Sequence, residues 1–362
     1  MTLPITKLGD GLPLPSNAED LTADWLTFAL AEHTGGARVT AVQAEPIGTG
    51  QVAETRRLSL SWESGYAGPA VIVAKVPSTN PVSLTAAKTM RNYELEVIFY
   101  RDLAGTVDVN CPQCFFADHD LQSDAFALLL ADQAPAAQGD QLGGCSPEQA
   151  ALGVTELVGL HAPRWNDASL EELDLAWLNR GGMAGAAFAQ LVAGLFPAFL
   201  ERYEDRLSPE LSQTVSWLGE NLTPYLANRP GPRTLTHNDF RLDNLLFGAE
   251  RVAVVDFQTV SYGYPLADLA YFVGGSLLAE ARAEHEHALV QQYHQGLVAR
   301  GIELPWTDCW DWYRRYAFEG LLMAVMASMG VERTDRGDEM FMVMAQRSAR
   351  HASELESAEL IC

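Results

Sequence analysis

The chain has 362 residues, 48% of them hydrophobic and 20% charged, with a formal net charge of −23. That length suits two cores better than one, and the composition is that of an ordinary globular protein. The acid excess argues against nucleic-acid binding, which needs clustered Lys and Arg, and its even spread (net −8 over residues 1–132, −8 over 133–262, −7 over 263–362) describes a solubilising surface rather than one acidic pocket.

The amino terminus lacks a basic segment followed by an apolar one, so no signal peptide and a cytoplasmic setting are expected. Asn17 is placed to cap a first helix running to about His33, with Leu21, Trp25, Phe28 and Leu30 on or near its apolar side. Residues 57–62 alternate and residues 70–75 are a β-branched run, so both read as strands. Residues 84–103 read as one helix carrying Met90, Tyr93, Val97 and Tyr100. Cys111 and Cys114 have CxxC spacing, but no second ligand pair accompanies them and Cys114 leads into strand-like Phe115-Phe116. Ordinary packing is expected there, and five cysteines do not suggest a disulfide framework. A buried strand at residues 125–130 closes a strand-rich first domain, 1–132.

From 133 to 362 helices dominate. Ser146, Pro147 and Gln149 form a helix start, and that helix should reach His161. Residues 181–200 carry no charge, yet they are rich in Gly and Ala and interrupted by Gln190 and Pro197, so a buried helix is expected rather than a membrane span. Short strands at 235–236 and 252–255 flank a loop, and the remainder reads as helical. Strand-rich small lobe, short connector, helical large lobe: the order points to an α+β, protein-kinase-like two-lobed fold with a small antiparallel sheet.

The chemistry concentrates in His237-Asn-Asp239-Phe-Arg241-Leu-Asp-Asn244, followed by an apolar run ending in Asp256-Phe-Gln258. An acid at the end of Ala-Val-Val is costly unless it meets a partner such as a metal ion. Phosphoryl transfer asks for this set: oxygen ligands for magnesium, a carboxylate near the attacking hydroxyl, and cations on the phosphates. Asp239, Asn244 and Asp256 supply the oxygens and Arg241 a cation.

This pattern resembles the catalytic loop of the aminoglycoside phosphotransferase and choline kinase superfamily, HxDxxxxN followed by a strand and a second Asp, and is most similar to its ecdysteroid-kinase-like branch. The resemblance implies an ATP- and Mg2+-dependent enzyme phosphorylating a hydroxyl of a small molecule. Asp239 would be the catalytic base, Arg241 would touch the transferred phosphate, Asn244 and Asp256 would bind magnesium, and His237 would orient the loop. Asn238 stands where this branch usually has Gly, a small change because Asn tolerates unusual backbone angles.

Of only three lysines, Lys75 ends the β-branched run, where a kinase strand presents its phosphate-binding Lys. Its partner should come from the next helix: Glu96 matches the family position best, with Glu94 as the alternative. Gly48-Thr-Gly50-Gln51 lies about 25 residues upstream, as a phosphate loop should, and Asp132 at the end of the first domain is a further nucleotide-site candidate. No Lys follows a Gly, which excludes a Walker A loop. Asp268 matches a family helix start and should brace the catalytic loop, whereas His161 reads as structural. Trp306, Trp310 and Trp312 suit an acceptor pocket and core packing equally, and the aromatic run tilts the acceptor narrowly toward an apolar alcohol. Two other classes compete. The complete set of Lys75, Asp239, Asn244 and Asp256 disfavours a nucleotide-binding pseudokinase, and a metal-dependent phosphoesterase needs more His and Asp ligands than stand near His237.

Overall fold

A computed structural model describes residues 12–48, 52–66, 68–173, 175, 186–331 and 333–361. The chain divides into two units, one comprising Met1–Thr106, Cys111–Pro135 and Val255–Thr259, the other Val107–Asn110, Ala136–Val254 and Val260–Cys362.

The first unit opens with helices α1 (Ala23–Ala29) and α2 (Ala31–Thr34). The long helix expected from Asn17 to His33 is not formed. Asn17 caps only a short 3-10 turn at Ala18–Asp20, and Thr22 then caps α1 by accepting from the Trp25 N–H. Strands β1 (Val39–Pro46), β2 (Ala53–Trp62) and β3 (Val71–Pro77) form an antiparallel meander. Helices α3 (Pro81–Met90) and α4 (Asn92–Ile98) follow, then β4 (Cys114–His119) and β5 (Phe126–Ala131), giving the strand order β1-β2-β3-β5-β4.

One face of this sheet is the core. Leu58, Ile72, Ala74, Val76, Phe116 and Leu129 pack there against Trp25, Leu26 and Leu30 of the α1 segment, as the period of two along each strand requires. The same alternation sends Lys75 to the opposite face. The single helix expected over 84–103 is broken at Arg91, whose φ of 60° is left-handed. Arg91 closes α3 as its C-cap and opens α4, while its guanidinium grips Glu94. After α4 the chain runs into a π-helical turn, Phe99–Leu103.

In the second unit, β6 (Ala137–Gln138) precedes α5 (Pro147–His161), which starts at a full capping box between Ser146 and Gln149. Then come α6 (Ala186–Ala193), α7 (Leu195–Arg202), α8 (Pro209–Glu220) and α9 (Leu222–Ala227). The expected helix over 181–200 is therefore two helices meeting at Gly194 in its described part; residues 181–185 lie outside the described residues. Strands β7 (Thr234–Thr236), β8 (Leu245–Phe247), β9 (Val252–Val254) and β10 (Ser261–Gly263) surround residues 237–244. The two strands expected there do not pair with each other: β7 pairs with β10, and β9 with β8, both antiparallel. Helices α10 (Pro265–Ser276), α11 (Ala279–Ala299), α12 (Trp306–Arg315), α13 (Glu319–Gly330) and α14 (Asp335–Glu354) complete the unit. Every residue of α10 is buried. Gly153 lets α5 approach it closely, because a Cβ there would run into the Phe272 ring. Among the described residues no helix is long and apolar enough to cross a membrane.

Candidate active site

The candidate residues gather into two clusters, one in each unit. In the first, Lys75 Nζ lies 2.7 and 2.8 Å from the two Glu96 carboxylate oxygens and 2.7 Å from Asp256 Oδ1. Glu96 is almost fully buried, the Lys75 side chain is 12% exposed, and that of Asp256 24%. Glu94 is not the partner, because it pairs with Arg91 at 2.7 Å. Asp256 has a left-handed φ of 69°. Its segment is anchored on both sides: Phe257 stacks on Phe99 at 3.5 Å, and Asn92 Nδ2 donates to the Gln258 carbonyl at 3.0 Å.

Two carboxylates thus share one ammonium away from bulk water. Burial opposes the charge on Lys75, but Asp256 and Glu96 outweigh it and the ammonium pKa is raised. Glu96 moves up as well: burial and the Asp256 charge disfavour its ionised form more than Lys75 restores it. Gly48 lies two residues past β1 with a φ of 73°, while Gly50 and Gln51 lie outside the described residues. The Asp132 carboxylate is engaged by Arg57 of β2 at 3.2 Å.

The second cluster hangs on α10. The buried Asp268 carboxylate accepts the backbone N–H groups of His237 at 2.6 Å and Asn238 at 2.8 Å, and faces His161 Nε2 at 3.3 Å. His161 is itself held by the Tyr293 hydroxyl at 2.8 Å, so this histidine is part of the scaffold. Asn238 has a φ of 62°, the left-handed conformation its residue type tolerates. His237 is fully buried and its Nδ1 accepts the Asp239 N–H at 3.2 Å.

The turn aims Asp239 into a frame of donors. Arg241 Nε reaches Oδ1 at 3.1 Å and Oδ2 at 3.3 Å, the Tyr271 hydroxyl reaches Oδ1 at 2.8 Å, and Asn244 Nδ2 reaches Oδ2 at 3.0 Å. Asn244 Nδ2 also donates to the Asp239 carbonyl at 2.9 Å. Arg241 extends its Nη1 to Asp243 at 2.6 Å. Burial works against its charge, but Asp239, Tyr271 and Asp243 more than compensate and raise its pKa. Tyr271 was not found from the sequence. The available signal was its spacing, three residues after Asp268 and therefore on the same face of one helix.

The donor set suits a hard cation. Asn244 spends its amide nitrogen on the loop, which directs its carbonyl oxygen the opposite way, and Asp256 offers carboxylate oxygens. Among the described residues no three His, Cys, Asp or Glu side chains group into a metal cage. Magnesium usually takes one or two protein oxygens and completes its shell with water and substrate phosphates. Asn244 in the second unit and Asp256 in the first each offer an oxygen of the kind magnesium takes.

The remaining candidates pack elsewhere. Cys111 and Cys114 are free thiols, and burial pushes the Cys114 thiol up, as expected of packing residues. Trp306 and Trp310 stack on each other and meet His287 of α11 edge-on and tilted, respectively, and Trp312 lies against Gly231. Tyr313 is fully buried beside Glu286 and His351.

A family model described as the phosphotransferase enzyme family, APH, matches residues 82–306. The chain belongs to that family. Among solved structures this phosphotransferase is similar to choline kinase from Cryptosporidium parvum, at 11% identity over 88% of this chain and 89% of that one, with a TM-score of 0.54. It is also similar to the protein of a gentamicin–APH(2")-IIa complex, at 18% identity over 87% and 94% of the two chains, with a TM-score of 0.50. The phosphotransferase fold is thus the kinase-like, two-lobed α+β fold. Among curated proteins it is 31% identical over 124 residues to acyl-CoA dehydrogenase family member 10 of Mus musculus, 30% of this chain and 11% of that protein. The phosphotransferase matches about a tenth of the length of such relatives.

Proposed function

We propose that this kinase transfers the γ-phosphoryl group of ATP, with Mg2+, to a hydroxyl of a small molecule in the cytoplasm. The observation that carries the reading is the paired machinery: Lys75 held by Glu96 and Asp256, and a donor-framed Asp239 on a braced loop. Lys75 would bind phosphate oxygens, kept charged and pointed by Glu96. Gly48, Gly50, Gln51 and Asp132 remain nucleotide-site proposals on their sequence positions. Magnesium, when bound at Asn244 and Asp256, neutralises phosphate charge.

Asp239 receives the acceptor hydroxyl's proton as the oxygen attacks phosphorus and the bond to ADP breaks. Such base assistance contributes about 10² to 10⁴ in rate. Arg241 holds the base with its Nε and Asp243 with its Nη1, and its Nη2 would meet phosphate charge. His237 and Asp268 keep the loop in shape. Stacking within α12 leaves both readings of its aromatic run open, so the acceptor is a hydroxylated small molecule, with an apolar alcohol narrowly preferred. The test is ADP release from Mg-ATP with a panel of choline-like amino alcohols, aminoglycosides and apolar alcohols. ADP formation stimulated by one class supports the reading. Tight Mg-ATP binding with no ADP formation under any condition overturns it.

A further inference from the structure

The hydrogen bonds on Asp239 distinguish its two oxygens. An ionised carboxylate oxygen has two lone-pair positions. Oδ1 spends both, on the Tyr271 hydroxyl at 2.8 Å and Arg241 Nε at 3.1 Å. Oδ2 takes Asn244 Nδ2 at 3.0 Å and only the longer leg of the same Arg241 N–H, at 3.3 Å. Oδ2 is therefore the less tightly held of the two oxygens, and the long leg of the shared Arg241 N–H is the contact an incoming donor would displace.

We propose that Tyr271 is a positioning residue for phosphoryl transfer, closing Oδ1 of Asp239 so that Oδ2 is the oxygen receiving the acceptor's proton. This rests on the reading of Asp239 as the base. Tyr271 is suited to the task by its place in the fold. It rides on α10 three residues after Asp268, so one helix fixes both the loop backbone and the orientation of its carboxylate. The residue is 5% exposed, and its ring packs near Gly320 of α13, so the hydroxyl has little freedom to turn away. Burial first, and the Asp239 charge next, raise the phenol pKa well above its ordinary value, so the group remains a donor at any working pH.

The step balances without Tyr271 gaining or losing a proton. The acceptor O–H breaks, its proton moves to Oδ2, the new O–P bond forms, and the bond to ADP breaks. Fixing the accepting oxygen keeps the hydroxyl aligned with phosphorus, and misalignment of a reacting group by about 1 Å can cost up to about 10²-fold.

The experiment is ADP release from Mg-ATP, with water as the acceptor, in wild type, Tyr271→Phe, Asp239→Asn and the double variant, each with Mg-ATP affinity and melting temperature measured. We expect Tyr271→Phe to lower kcat roughly ten-fold with Mg-ATP affinity unchanged, and to add no further loss in the Asp239→Asn background. Wild-type kcat in Tyr271→Phe, or an equal loss in both backgrounds, overturns the role of Tyr271 while leaving the base assignment intact. Wild-type turnover in Asp239→Asn overturns the base assignment itself. Should Tyr271→Phe fail to fold, a crystal of the wild type with ADP, magnesium and beryllium fluoride decides. A water bonded to Oδ2 with Tyr271 on Oδ1 supports the proposal, and a water on Oδ1 with Tyr271 displaced refutes it.

Discussion

Asp239 and Asp256 carry the same charge but are held in opposite ways. Asp239 is framed by neutral and cationic donors from its own loop and α10, whereas Asp256 is tied to the Lys75 ammonium. Asp239→Asn should leave Mg-ATP affinity nearly intact while turnover falls by roughly two or more orders of magnitude, measured by titration calorimetry beside a steady-state assay. Asp256→Ala should abolish the magnesium dependence of ATP affinity, because neutral Asn244 cannot hold the ion alone. Equal ATP affinity with and without magnesium in wild type would contradict this role. Lys75→Ala removes the cation between two carboxylates, and breaking a buried pair costs about 3–5 kcal/mol. A lowered melting temperature is therefore expected beside weakened ATP binding.

At the scale of elements, α10 organises the loop of residues 237–244, the proposed catalytic loop. Its Asp268 accepts two backbone N–H groups of a left-handed turn and faces His161 at the end of α5. Asp268→Asn puts an amide NH2 where an acceptor is needed and leaves a buried backbone donor unpaired. Such a loss costs about 1–3 kcal/mol, so chemical denaturation should show a reduced midpoint with unchanged m-value. Turnover should drop with it, since the loop loses its anchor. Retained stability together with retained turnover would show that the brace is dispensable. The break between α3 and α4 belongs to this scale as well. Without the turn at Arg91, a continuous helix would rotate Glu96 out of register with Lys75, since each residue turns a helix by about 100°.

Across the helical unit, a second buried polar network ties α11, α12 and α14. Arg282 pairs with Glu286 at 2.8 Å and with Glu354, and Glu286 faces His351 Nε2 and the Tyr313 hydroxyl, each at 3.2 Å. Burial pushes the fully buried His351 imidazole below its ordinary pKa, with Glu286 opposing. A histidine depressed in the folded state stays neutral there while the unfolded chain binds a proton at its ordinary value. Stability should therefore fall as pH drops below about 6.5. His351→Gln is expected to flatten the stability–pH curve between about pH 5 and 6.5, measured by urea titration at each pH. An unchanged slope would assign the acid sensitivity to other groups.

What was legible in the sequence depended on how local its cause was. The kinase-like two-lobed fold followed from a strand-rich first half, a helical second half and one loop pattern, all of which are properties of short windows. The Ser146 capping box and the β-branched run that ends in Lys75 are equally local, and the structure has both. The long helices expected over 17–33 and 84–103 were misjudged, because apolar spacing continues across a break that a single backbone angle at Arg91, or a new cap at Thr22, creates. The choice of Glu96 over Glu94 also needed tertiary structure, since both are acids on one short helix and only packing decides which meets Lys75 and which meets Arg91. Tyr271 is the clearest case. Its spacing from Asp268 marks a helix face and no more, and its hydroxyl acquires meaning only when α10 folds against a loop some thirty residues earlier. Residue type and spacing determined which chemistry the chain carries; long-range packing decided which atom of each group is free to perform it.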